Sequence, residues 1–80
     1  MITEGENKEI RDILDFRYSL EVQKKLTAKG KFNKNGKPYS RVQIRNTMSG
    51  IPHAIIEDAI WELYAEKKAI ITAREKLLTS

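Results

Sequence analysis

The sequence predicts a small all-α domain, and three features of the chain support this prediction. Residues 7–28 contain neither Gly nor Pro, and apolar side chains recur in them at every fourth position. Residues 53–78 are also free of Gly and Pro and are rich in strong helix formers. Between these segments, Ser40 opens a short stretch that closes at Gly50, as in a capped helix. A chain of 80 residues has room for one hydrophobic core, so we expect a single domain.

The N-terminal segment has the apolar spacing of a helix. Its main apolar line is Ile10, Leu14, Tyr18, Val22 and Leu26, and a second line is Ile13, Phe16 and Leu20. The pattern leaves open whether one long helix or two shorter helices form, with Ser19 as a candidate break. Thr3 and Glu6 have capping-box spacing, and Asn7 is an alternative N-cap.

Residues 30–38, GKFNKNGKP, predict a basic Gly/Asn loop or the tip of a short β-hairpin. The pair Asn35-Gly36 favours a type I′ turn, because both residue types tolerate a positive φ. The flanking residues are too few and too polar to form a stable sheet alone. We expect Phe32 and Tyr39 to anchor this loop to the core, and stacking on nucleobases is the alternative role.

Ser40 and Gln43 have the spacing of a capping box, which predicts a helix of two to three turns starting here. Gly50 supplies a C-terminal stop, and Pro52 follows it. The residues Ile44, Thr47 and Met48 form a narrow stripe for burial, and the remaining positions are left on the other faces.

The last helix is predicted to cover residues 53–78, which at 1.5 Å per residue is about 39 Å. A domain of this size is narrower than that, so the second half must bend back or protrude. The predicted core face is Ile56, Ala59, Ile60, Leu63 and Tyr64. Four later apolar residues would otherwise face water, and we expect them to pair two chains in a homodimer: Ile70, Ile71, Leu77 and Leu78. The alternative is a helix end that frays. His53 is expected to cap the helix or to be solvated.

The positive charge is concentrated in one segment. The net charge is +4, but residues 1–22 carry −3, residues 23–50 carry +8 and residues 51–80 carry −1. The eight cations of the middle segment have no acidic neighbour in the sequence: Lys24, Lys25, Lys29, Lys31, Lys34, Lys37, Arg41 and Arg45. Like charges repel, so this cluster favours a polyanionic partner that neutralises it. Nucleic acid is the expected partner, with an acidic protein surface or an anionic lipid as alternatives.

Several function classes lack support in the sequence. There is no cysteine and a single histidine, so neither a disulfide framework nor a thiolate or His-rich metal site is expected. No apolar run approaches the ~20 residues of a membrane span, and the N-terminus lacks a signal-peptide pattern, which predicts a cytoplasmic protein without membrane contact. Asp12 and Asp15 are interpreted as solvated acids. No nucleophile with a base, P-loop or dinucleotide fingerprint is present, so we expect no enzyme, cofactor or small-molecule substrate.

The segment SRVQIRNTMSG, followed by a helix that begins I-x-x-A-I, resembles the second half of small helix-turn-helix regulators of the phage-repressor or Cro-like type. The resemblance covers about residues 39–68. In those families the recognition helix has the form S-R-x-x-V-S-x-V-L-N-G, which aligns without a gap. Ser40 takes the cap, Ile44 and Met48 the buried positions, and Gly50 the terminating glycine. The resemblance implies a transcriptional regulator or accessory factor of a phage or mobile element that binds double-stranded DNA, with a recognition helix at about 40–49.

A recognition helix at these positions implies a set of DNA contacts. Contacts to base edges are expected from Arg41, Val42, Gln43, Arg45 and Asn46. Contacts to phosphates are expected from Lys29, Lys31, Lys34, Lys37 and Ser40.

The sequence departs from the family before this helix. Those families place a positioning helix three or four residues upstream, where this chain has the basic loop. Either residues 20–28 form the positioning helix with an enlarged turn, or the loop replaces it and touches phosphates.

Two other functions are alternatives to DNA binding. One is a protein-interaction module, such as a phage-encoded inhibitor or assembly factor with an acidic partner. The other is RNA binding with Phe32 and Tyr39 as stacking platforms.

Overall fold

The computed structural model describes residues 1–15 and 17–79, which form four α-helices: α1 (Glu4–Leu14), α2 (Tyr18–Ala28), α3 (Arg41–Met48) and α4 (Ala54–Thr79). No β-strand occurs in these two ranges, which confirms the all-α prediction. α1 and α2 both pack against α4, and α3 packs against α2 and α4. α4 is therefore the element that contacts all the others.

The N-terminal segment forms two helices, and the break lies between Leu14 and Tyr18. The candidate break at Ser19 is wrong, because Ser19 is buried inside α2. The Thr3 and Glu6 side chains form the predicted capping box at the start of α1. Asn7 is not the cap, because it lies within α1 and its Nδ2 donates to the Met48 carbonyl at 2.6 Å. The break allows α1 and α2 to pack on α4 separately, which one straight helix cannot do.

Asp15 ends α1 in an unusual backbone conformation. Its φ of 60° and ψ of −171° lie in a region that is essentially restricted to glycine. Its Oδ1 accepts a hydrogen bond from the Arg17 N–H at 2.8 Å, which stabilises the reversal between the two helices. Phe16, which belongs to the second predicted apolar line, lies outside the described residues.

The core is built from the predicted apolar lines. The five residues of the main N-terminal line are all buried, as are Ile44 and Met48 of α3 and four residues of α4: Ile56, Ala59, Ile60 and Leu63. Tyr64 and Ile13 are only partly buried, and Leu20 is 37% exposed. The apolar spacing therefore identified the core, whereas Ile13 and Leu20 of the second N-terminal line lie at its edge.

The connection between α3 and α4 has the predicted glycine stop. Gly50 adopts a φ of 114°, and the Ile51 N–H donates to the Asn46 carbonyl at 3.1 Å, which closes the last turn of α3. His53 then caps α4, as predicted, because its Nδ1 accepts from the Ile56 N–H at 3.3 Å. Glu57 Oε2 accepts from the His53 N–H at 2.9 Å, which completes a reciprocal cap.

The fold also changes the pKa of Glu57, the acid of this cap. Its Oε1 lies 2.6 Å from the N-terminal ammonium of Met1. The hydrogen bond from that ammonium, followed by the hydrogen bond from the His53 N–H, lowers the pKa of Glu57 below its usual value of 4.5.

The second half of α4 protrudes from the domain. Every side chain from Lys68 to Leu78 is exposed, and the molecule measures 50 × 27 × 19 Å. Ile70 is 49% and Leu78 86% exposed. Of the two sequence-based alternatives, protrusion is therefore correct and bending back is wrong. In residues 1–15 and 17–79, no helix has the length and continuous apolar character that a membrane span requires.

Ile44→Ala is predicted to lower the free energy of unfolding by about 2–5 kcal/mol, because a fully buried side chain would leave a cavity. Ile70→Ala, the control on the protruding half of α4, should change it by less than about 0.5 kcal/mol in the monomer. Urea unfolding measured on both variants tests this difference. Equal losses in the two variants would contradict the assignment of the core.

Glu57→Gln is predicted to remove a pH-dependent contribution to stability. Because the pKa of Glu57 is lowered in the folded state, its contribution is fully present above pH 4.5 and is lost as the pH falls through the folded-state pKa. The difference in unfolding free energy between the wild-type protein and Glu57→Gln should therefore be largest near neutral pH and shrink towards pH 3. Urea titrations at several pH values measure it. A difference that grows on acidification would disprove the pKa assignment.

Candidate nucleic-acid interface

α3 is held so that one face is buried and the other faces solvent. Ile44, Thr47 and Met48 are buried, as the sequence predicted. The five predicted base-contact residues are all exposed: Arg41, Val42, Gln43, Arg45 and Asn46. Four of them share one side of the helix by their spacing, and Gln43 lies on the flank. We call Arg41, Val42, Arg45 and Asn46 the outward face of α3.

Arg41 connects this face to α2. Its Nε donates to the Oγ of Ser19 at 3.3 Å, and Ser19 is fully buried. A guanidinium has five N–H donors, so this hydrogen bond uses one and leaves the terminal amino groups to bind a ligand. The bond to Ser19 orients the side chain without removing its capacity for recognition.

Gln43 has a structural role that competes with base recognition. The Ser40 Oγ accepts from the Gln43 N–H at 3.1 Å, and the Gln43 Oε1 accepts from the Ser40 N–H at 3.2 Å. Bidentate recognition of adenine requires both the oxygen and the nitrogen of an amide, so Gln43 would have to leave the cap. Asn46 has no such conflict, because its side chain makes no hydrogen bond within the part of the chain that the structure describes.

Residues 29–40 connect α2 to α3 as a loop without strands, so the hairpin alternative is wrong. The tip is a turn in which the Gly36 N–H donates to the Asn33 carbonyl at 3.0 Å and the Asn33 N–H donates to the Lys37 carbonyl at 2.8 Å. The predicted type I′ turn is also wrong. Gly36 has a φ of 74°, but Asn35 is not among the described non-glycine residues with a positive φ.

One of the two predicted loop anchors is correct. Tyr39 is buried, its carbonyl accepts from the Gln23 Nε2 at 2.9 Å, and its ring packs edge-on against His53 at 5.1 Å. Phe32 is 43% exposed, so its assignment as an anchor is wrong. Tyr39 lies next to Ser40, the N-cap of α3, and reaches the core, whereas the Phe32 side chain stays exposed.

Two of the eight clustered cations have acidic partners that the sequence did not reveal. Lys25 Nζ lies 2.6 Å from Glu66 Oε1 and 3.6 Å from Glu62 Oε1. Lys29 forms an ion pair with Glu62. The acids lie on α4, far away in sequence, and packing of α2 on α4 brings them close. The expectation of a cluster without carboxylates is wrong at these two positions. A phosphate contact by Lys29 stays a prediction and would have to compete with Glu62.

The other six cations are exposed and form no ion pair with any residue in ranges 1–15 and 17–79: Lys24, Lys31, Lys34, Lys37, Arg41 and Arg45. They come from α2, the connecting loop and α3. We call these six residues the basic surface. Ser40, the remaining predicted phosphate contact, is exposed at the start of α3.

A groove of about 540 Å³ beside α3 adds a cation that sequence reasoning missed. Arg11 of α1 lines it together with Arg45 and Tyr18. Arg11 lies in the acidic N-terminal segment, so neither charge counting nor spacing along the chain could identify it. Asp15 lines the same groove, although no ion pair joins it to Arg45 among the described residues.

Neither a protein-family model nor a curated protein or solved structure matches this chain. The described residues bring together no group of three His, Asp or Glu side chains that could hold a metal ion. The functional interpretation therefore depends on the shape and charge of the basic surface and of the outward face of α3.

Proposed function

We propose that this protein binds double-stranded DNA in a sequence-specific manner, as a transcriptional regulator or accessory factor of a phage or mobile element. The observation that carries this proposal is the outward face of α3, which is exposed and carries Arg41 and Arg45 without an ion pair to any described residue. A helix with this composition fits the major groove, which is about 12 Å wide. α2 packs against α3 and would act as the positioning helix, with the loop as an enlarged connection.

The outward face offers a distinct chemistry for three of the four bases. Arg41 and Arg45 can each present two parallel N–H donors to guanine O6 and N7. Asn46 can donate to and accept from adenine, and Val42, which is 62% exposed, can contact a thymine methyl group. Gln43 can contact a base only if its side chain leaves the capping box, so we assign it a smaller role in recognition.

The lysines of the basic surface suit phosphates rather than bases. An ammonium on a flexible stem acts as a point charge, which attracts a phosphate without selecting a sequence. Lys31, Lys34 and Lys37 lie on the loop, next to the first turn of α3 in the chain. They would supply affinity and salt dependence, while α3 supplies specificity.

Single-stranded RNA is a second candidate ligand because Phe32 is exposed within the basic loop. Exposed aromatic rings beside cations stack on unpaired bases. Tyr39 is buried, however, so only one of the two proposed stacking platforms is available. Competition between single-stranded RNA and duplex DNA distinguishes the two ligands. Indifference to both, with co-purification of one acidic protein, would instead support the protein-interaction module.

We also propose that a second copy of the chain covers the protruding half of α4. Ile70, Ile71, Leu77 and Leu78 are exposed, and their spacing continues the helix face that buries Ile56, Ile60 and Leu63 in the core. A symmetric dimer would present two α3 helices to a palindromic site. The two copies would then contact a longer DNA sequence than one copy can, as in dimeric helix-turn-helix proteins.

Arg41→Ala and Arg45→Ala are each predicted to cost about 1–3 kcal/mol of binding to the preferred site and to relax discrimination at one base pair. Lys34→Ala should weaken binding to all duplexes equally and lower the magnitude of the slope of log K against log salt by about 0.9. Lys68→Ala, which removes a cation from α4, is the control and should change neither. The site is first selected from random duplexes, and affinities are then measured at two salt concentrations. Absence of duplex binding at low salt would overturn the proposal.

Ile70→Glu combined with Leu78→Glu is predicted to dissociate the proposed dimer, because each interface would then bury carboxylates. Sedimentation equilibrium over a range of protein concentrations should show a monomer–dimer equilibrium for the wild-type chain and a monomer for the variant. Circular dichroism should be unchanged, since both side chains are exposed in the monomer. A wild-type chain that stays monomeric at all concentrations would refute the dimer and leave DNA binding by the monomer as a separate question.

A further inference from the structure

We infer that the loop between α2 and α3 is a preorganised arm that holds its lysines against a DNA phosphate backbone, with Asn33 and Gly36 as positioning residues. This inference rests on the proposed function and goes beyond it, because it assigns a role to loop geometry as well as to loop charge.

Both ends of the loop are fixed to the helical domain. At the start, the Lys31 N–H donates to the Leu26 carbonyl at 2.9 Å, and Gly30 adopts a φ of 72°, which closes the last turn of α2. At the end, the buried Tyr39 is held by Gln23 and His53. The loop therefore leaves and re-enters the domain at defined points.

The tip of the loop is stabilised by its own hydrogen bonds. Besides the two backbone bonds of the turn, the Asn33 Oδ1 accepts from the Asn35 N–H at 2.9 Å and from the Lys37 N–H at 3.1 Å. One side chain thus fixes the two backbone positions on either side of Gly36, just after Lys34. Gly36 supplies the positive φ that the turn requires, and no atom lies within 4 Å of the position that a Cβ would occupy there.

The tip also lies beside the start of α3. A groove of about 500 Å³ is lined on one side by Asn33, Lys34 and Asn35 and on the other by side chains that include Gln43 and His53. An arm in this place presents Lys34 near the first turn of the proposed recognition helix. A DNA phosphate backbone that runs past α3 would contact the arm without any movement of the loop.

Preorganisation changes the free energy of binding because a loop that is already ordered loses little conformational entropy in the complex. A disordered loop with the same lysines would carry the same charge but bind more weakly. The number of cations in the loop and the precision with which the loop holds them are therefore separate properties, and each can be changed without the other.

Variants of Gly36 test the role of geometry without changing charge. Gly36→Ala strains the positive φ but adds no steric clash, so it should weaken binding to the selected duplex by about 3- to 10-fold. Gly36→Asn is the matched control, because Asn tolerates a positive φ, and should bind within about 2-fold of the wild-type protein. Asn33→Ala, which removes both side-chain hydrogen bonds, should resemble Gly36→Ala. The tip lies outside the core, so the thermal unfolding midpoint should fall by no more than about 4–8 °C in Gly36→Ala and Asn33→Ala, and all three variants should be folded at the assay temperature.

A double-mutant cycle shows whether Gly36 acts through Lys34. If the turn positions this lysine, Lys34→Ala should weaken binding less in the Gly36→Ala background than in the wild-type background. Additive effects would overturn the inference, as would wild-type affinity in both Gly36→Ala and Asn33→Ala. In either case specific binding that still depends on Arg41 and Arg45 would leave the proposed function intact. If the wild-type protein binds no duplex, the proposed function and this inference fail together.

Discussion

The packing of α2 against α4 is the contact on which both the core and the proposed interface depend. It buries Val22 and Leu26 against the apolar face of α4, and it brings Glu62 and Glu66 to Lys25 and Lys29. The same contact therefore stabilises the domain and neutralises the inner part of the cationic segment. The clustered cations without an ion pair to the described residues lie on α2, the connecting loop and α3. The fold therefore separates lysines that stabilise the packing of α2 on α4 from cations that stay exposed.

α3 shows a similar division of roles within one short helix. Ser40 and Gln43 satisfy backbone groups of its first turn, and Arg41 is tied to Ser19. Arg45, Asn46 and Val42 remain exposed, with polar and apolar side chains next to each other. A helix of eight residues has few positions, and the side chains that cap it are less available to a ligand. The side chains that make no structural contact are therefore the strongest candidates for base recognition.

The connecting loop combines local and long-range constraints. The conformation of its tip depends on Asn33 and Gly36, which interact with residues of the tip itself. The end of the loop before α3 depends on Tyr39, which contacts Gln23 of α2 and His53 just before α4. Tyr39 and Phe32 are both aromatic and both lie near the ends of the loop, yet only Tyr39 reaches the core. The Tyr39 ring packs against His53 at the start of α4 whereas Phe32 stays exposed, and aromatic character alone did not predict this difference.

Features that act over a few residues could be predicted from the sequence alone. The capping boxes at Thr3 and Ser40, the stop at Gly50 and the apolar lines along each helix all depend on neighbours within about one or two turns. They predicted the helical class, most of the core and which side of α3 is buried. Whether α3 reads DNA is not determined by these patterns, since they describe exposure and not a ligand.

Which charges remain available depends on the packing of the helices. The ion pairs of Lys25 and Lys29 join residues that lie 41 and 33 positions apart, and Arg11 reaches the groove beside Arg45 from another helix. The protrusion of α4 and the exposure of Phe32 likewise depend on where the packed core ends. Charge counted along the chain could not predict these results, because electrostatic interactions depend on distance in space, which the packing of the helices sets.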